Sequence, residues 1–198
     1  GHQLAFSDYY LGDTFRPTAE VFALDMASIK DFGYRDMTWE FSGGLIGTME
    51  KWVMARLVWE PANTDVARLR AYYLRRVYRE AAPALAKFYD VGMTRLRAYA
   101  AVQPMEFEDE AMLLRYCLRT KSERFFGGTV ADELEGYVRE AEKAVRNPVS
   151  RVLVARFRQE WDEYLARAKA AEAAWHKDQA GEATGAKDYP IVGMPAGK

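Results

Sequence analysis

The chain has 198 residues, with 28 Lys and Arg against 29 Asp and Glu and a net charge of −1. That length allows one domain with a substantial core, and the even charge excludes a global field favouring nucleic acid or anionic membranes. Hydrophobic residues at 49% and charged residues at 29% fit a folded globular chain, while 12 Tyr and 5 Trp suit cores, sugar stacking and interfaces alike.

Leu4 to Tyr10 reads as a short aromatic strand, and Gly12-Asp13 marks the turn that follows it. Pro17 suits the first turn of a helix expected over Thr18–Asp31, with Val21, Phe22, Leu24, Met26 and Ile29 buried and Gly33 as the stop. Met37 to Phe41 is the second strand. Strand, helix and strand form a βαβ unit with parallel strands. Such a pair needs more neighbours, supplied by strands of a longer parent, by covering helices or by a second copy. Gly1-His2-Gln3 reads as a processed or engineered boundary, which leaves the compartment open.

Leu45 to Trp59 is a helix with only Glu50, Lys51 and Arg56 as charges, so it must be covered on two sides. Asn63-Thr64-Asp65 can cap the next helix, Asp65–Arg79, whose apolar face is Val66, Leu69, Tyr73 and Val77. Pro83 restarts a helix to about Val102, with Gly92 as a point of bending. Glu108–Lys121 and Thr129–Arg146 are further helices. Asn147-Pro148 opens the longest, where Val149, Leu153, Phe157, Trp161, Tyr164, Ala168, Ala171 and Trp175 recur at steps of three and four. That seam spans about 40 Å. The composition changes at Lys177, so Lys177–Lys198 reads as a tail or linker. The expected organisation is a barrel-end-like segment (1–60), a helical domain (61–176) and a tail (177–198). The fold class is mainly α.

Chemistry concentrates at the second strand's end. Trp39-Glu40 precedes the Ser42-Gly43-Gly44 turn and a helix, and Asp8-Tyr9-Tyr10 ends the first strand. Adjacent strands lie about 4.8 Å apart, so Asp8 and Glu40 are expected to face one cleft. Paired carboxylates between aromatic walls are the equipment of glycosidic-bond cleavage, and Trp39, Glu40, Asp8 and Tyr10 are the candidate substrate contacts. The plainer alternative gives each carboxylate an ion pair or cap and puts the aromatics in the core. No residue is assigned as a catalyst. The Ser-Gly-Gly turn can offer backbone N–H groups to an anion, but it lacks a phosphate-loop pattern and reads first as a tight turn.

Other site classes are poorly equipped. Cys117, the single cysteine, excludes an internal disulfide and reads as an inert buried thiol. His2 and His176 are isolated, so no metal site or cofactor is expected. No run of about 18 apolar residues is present, so no membrane span is expected. Arg68, Arg70, Arg75, Arg76 and Arg79 interleave with Tyr72, Tyr73 and Tyr78. That pattern suits nucleic acid, but neighbouring acidic runs favour a solvated, ion-paired face, and no nucleic-acid partner is expected. An exposed strand edge or the long seam offers a route to a homodimer, and a helical scaffold or protein-interaction module is the rival to a carbohydrate function.

Asp8-Tyr9-Tyr10, Asp31-Phe32-Gly33-Tyr34, Trp39-Glu40 and the run Val53 to Pro61 together resemble a bacterial glycoside-hydrolase-like family. That family contains a domain of unknown function in proteins related to α-glucuronidases and other (β/α)8-barrel enzymes. Tyr78 to Tyr89 is similar to its Tyr-Gly-x-Ala-Ala helix pair, with Arg79 standing where the pattern has Gly, and Asn147 to Val152 is similar to the start of its final helix. The resemblance covers roughly residues 4 to 165. It implies that the βαβ remnant is the last two βα units of a barrel, with a helical extension behind, and that the site lies at the C-terminal strand ends. It also implies that the proton donor lies on strands outside this chain and that the isolated chain is inactive; a secreted or periplasmic parent fits it, with the compartment itself left open.

Overall fold

The computed structural model describes residues 5–8, 18–32, 36–39, 44–60, 65–102 and 128–182. The expected Glu108–Lys121 helix with Cys117, the site candidates Tyr10 and Glu40, and the Ser42-Gly43 half of the turn lie outside these residues. The described chain is mainly helical. Strands β1 (Ala5–Asp8) and β2 (Asp36–Trp39) pair in parallel, with helix α1 (Thr18–Asp31) between them in sequence. Then come α2 (Thr48–Trp59), α3 (Val66–Tyr78), a 3-10 turn (Arg79–Ala81) and α4 (Ala82–Val102). Helices α5 (Gly128–Ala144) and α6 (Pro148–Glu182) complete the fold.

Two cores share α2. Ile46, in the turn before it, and Met49, in its first turn, join α3, α4, α5 and α6 in the larger one. Val53, Met54 and Leu57 turn the other way, onto Ala19 and Phe22 of α1 and Val66 and Leu69 of α3. Trp52 packs against both. This explains a helix that is apolar over most of its circumference: each side has its own partner. At the centre of the larger core Phe88 meets Phe157 and Trp161 edge-on, each at 5.1 Å between ring centroids, the geometry that ring quadrupoles favour.

Several boundaries differ from the sequence expectation. Leu45–Gly47 forms a turn before α2, closed by Thr48 N–H donating to the Leu45 carbonyl at 3.0 Å, so the helix starts three residues late. Helix α4 keeps its expected span, with Gly92 buried inside it. The seam of α6 is covered internally from Leu153 to Ala168, but Val149 is 68% exposed and Val154 takes its place inside. Helix α6 also runs through Lys177 to Glu182. Residues 177–180 contain no glycine or proline, and Gly181 falls only in the last turn, where a poor helix former costs little.

The α5–α6 contact is tied by Glu135. Its carboxylate accepts from Arg158 Nη1 at 2.7 Å, Arg139 Nε at 2.7 Å and the Trp161 indole N–H at 2.9 Å. Burial pushes this carboxyl up, but those hydrogen bonds outweigh it and hold it below its ordinary 4.5. A depressed folded value contributes stability that is present above 4.5 and lost as pH falls through the folded value. The stability difference between wild type and Glu135→Gln, followed by urea unfolding, is therefore expected to shrink below that pH. A difference that grows on acidification refutes the assignment.

Arg79 sits at φ 50° and ψ −114°, the one non-glycine residue with positive φ among the described residues. A Cβ is strained there. Arg79→Gly is expected to stabilise the protein by about 1 kcal/mol after glycine's extra chain entropy is counted. The midpoint of denaturant unfolding reads this directly, and a lowered midpoint contradicts it.

Candidate functional site

The parallel register pairs Ala5 with Asp36 and ends with Asp8 opposite Trp39. Two of the four candidate contacts are thus register partners at the C-terminal end of the strand pair, while Glu40 and Tyr10 lie outside the described residues. From Gly44 the chain turns into α2.

That turn holds an anion, and the anion is internal. Leu45 N–H donates to Glu160 Oε1 at 2.8 Å and Ile46 N–H to Glu160 Oε2 at 2.5 Å. Glu160 comes from α6, 115 residues away, so no local pattern announces it. Gly44 is required by the same contact, since a Cβ there would overlap the Glu160 carboxylate. The backbone N–H groups of Leu45 and Ile46, just after the Ser-Gly-Gly run, are therefore used to fasten α6 to the turn that opens α2. Behind it, the buried Tyr89 hydroxyl donates to the Ile46 carbonyl at 2.7 Å. Burial drives that hydroxyl well above its ordinary range, so it stays protonated and can donate.

A second carboxylate fastens the other side. Glu50 of α2 is 2% exposed. It accepts from Ala19 N–H at 3.0 Å, at the start of α1, and from Arg70 Nε and Nη2 of α3 at 2.6 and 2.7 Å. Arg70 reaches on to Glu20 at 2.6 and 2.5 Å. Burial pulls the guanidinium's pKa down, but its bonds to Glu50 and Glu20 outweigh that and hold it above its usual value. Glu50 read as an ordinary helix charge, because nothing in its neighbours reveals a burial that depends on α1 and α3.

These contacts dissolve the arginine–tyrosine stripe of α3. Arg70 is committed to the ion network, and Tyr73 and Tyr78 are buried in the core. Arg68, Tyr72 and Arg75 instead line a groove of about 430 Å³ with Trp52, Arg56 and Glu60 of the α2 segment, over Leu69. Trp52 and Tyr72 stack at 5.9 Å with an 18° interplanar angle, and the Arg56 guanidinium lies 6.0 Å over the Trp52 ring. Arg56 also pairs with Glu60 at 2.5 Å.

Among the described residues no group of three His, Cys, Asp or Glu is placed to hold a metal ion, and no helix is long and apolar enough to cross a membrane. No protein-family model matches the chain, and no curated protein or solved structure is significantly similar to it.

Proposed function

We propose that the chain is the C-terminal portion of a carbohydrate-active, glycoside-hydrolase-like protein that acts on or binds an oligo- or polysaccharide. In this reading β1, α1, β2 and α2 are the last two βα units of a (β/α)8 barrel, and α3 to α6 form the helical extension behind them. The observation that carries it is the strand register, which sets Asp8 opposite Trp39 at the C-terminal strand ends, the end at which barrel enzymes hold their substrates. The positive φ of Arg79, where the family pattern has Gly, supports the same resemblance.

Trp39 then supplies a stacking face, and Asp8, Glu40 and Tyr10 supply polar contacts to sugar hydroxyls. With the proton donor on other strands, the isolated chain binds without hydrolysing. Glycan-array binding by the chain, lost in Trp39→Ala, is the expected result. Absence of binding to any saccharide, or binding untouched by that substitution, rejects the reading. The rival, a scaffold or homodimer built on the α6 seam, has less to stand on because Leu153 to Ala168 pack inside the molecule. Light scattering at twice 22.6 kDa would restore it.

A further inference from the structure

We propose that the groove between α2 and α3 is a second saccharide site, selective for sugars that carry a carboxylate. The sugar half of this inference rests on the carbohydrate reading above, while the preference for negative charge rests on the groove itself. Arg56, Arg68 and Arg75 line it together with Glu60, and Arg75 is the guanidinium that carries the preference. Arg56 is already held by Glu60 on one side and by the Trp52 ring on the other. Arg75 is exposed and makes no ion pair among the described residues, so its planar fork is available to take a carboxylate through two parallel bonds.

The aromatic wall supplies the other half of the recognition. Trp52 is fixed by stacking on Tyr72 and by a tilted contact with the buried Tyr73 at 5.5 Å. Tyr72 is 47% exposed, which leaves ring surface for the apolar face of a pyranose. The groove volume, about 430 Å³, falls at the lower end of small-ligand sites, enough for a short stretch of sugar. A nucleic acid needs a longer positive track, and Arg70, the residue that would extend this one, is locked to Glu20 and Glu50.

Titration calorimetry on the full chain with an oligogalacturonate, a neutral xylo-oligosaccharide and a single-stranded oligonucleotide tests this. The acidic sugar is expected to bind and to weaken as salt is raised. Arg75→Gln and Tyr72→Ala, both exposed changes that leave the fold intact, should each weaken it roughly tenfold, equivalent to about 1.4 kcal/mol. Trp39→Ala should leave this binding unchanged. Equal affinity for the neutral sugar, binding indifferent to Arg75→Gln, or tighter binding of the oligonucleotide overturns the inference. Neutral-sugar binding that depends on Trp39 but shows no acidic preference overturns the groove alone and leaves the strand-end reading standing. Failure of every saccharide removes both.

Discussion

Replacing Arg70 with Met is expected to destabilise the protein by about 3–5 kcal/mol, the usual cost of stranding one partner of a buried pair. Glu50 accepts two of its three hydrogen bonds from Arg70, and without them only the Ala19 N–H remains for a carboxylate that is 2% exposed. Methionine matches the arginine stem in length, so the loss measures charge and hydrogen bonding more than packing. Arg70→Lys is expected to fall between, because one ammonium cannot reproduce a fork that serves Glu50 and Glu20 together. Adding Glu50→Gln to Arg70→Met removes the stranded charge but keeps an acceptor for Ala19 N–H, so the double variant should recover about 2 kcal/mol or more. Guanidinium unfolding of the four proteins decides it. A cost below about 1 kcal/mol for Arg70→Met places the pair among surface ion pairs and refutes the role given to it.

The network also shows which parts of this fold a sequence can announce. Local signals held. Asp65 was a candidate cap, and its carboxylate accepts from Arg68 N–H at 2.8 Å. Asn147 precedes Pro148 at the start of α6, and its side-chain oxygen takes Val149 and Ser150 N–H at 3.1 and 3.3 Å. The two-sided burial of α2 was legible because apolar residues surround the helix, although its two partners were not.

What escaped was long-range capping. Glu50 closes the start of α1 from α2, Glu160 closes the turn into α2 from α6, and Glu80 takes Arg146 and Asn147 N–H from before α4, each at 3.3 Å. Each is a charged residue beside an apolar stripe, a pattern shared by most solvent-facing glutamates. Only the tertiary arrangement selects them, through free N–H groups that helix starts leave behind. The strand-end candidates rest on position in the sequence, with Asp8 and Trp39 as register partners. The groove residues Trp52, Tyr72 and Arg75 appeared as a helix stripe and an arginine run, and only the packing of α2 on α3 joins them.

Gly44→Ala is expected to cost about 2–4 kcal/mol, although alanine suits a turn of this kind better than glycine in the unfolded-state balance. The overlap is with the end of a flexible side chain, which can swing away, so the steric clash itself is cheap. The loss lies in what the side chain leaves behind: Leu45 and Ile46 N–H lose the carboxylate that accepted from both. Hydrogen bonds to a charged group contribute about 1.5–3 kcal/mol each, with incomplete additivity. Glu160→Ala should therefore cost a similar amount, and the double variant little more than either single change, because both act on one interaction. Additive losses would mean that Gly44 serves a separate purpose. The functional consequence follows from position. The Gly44 turn leads straight into α2, so Glu160 is the tie by which α6 holds the start of that helix. Under the carbohydrate reading, Glu160→Ala should weaken strand-end saccharide binding without touching a substrate contact. It should leave acidic-sugar binding in the α2–α3 groove less affected, because that groove is built on the helices themselves. A glycan-binding loss confined to the groove would reverse this order and break the proposed link between α6 and the strand ends.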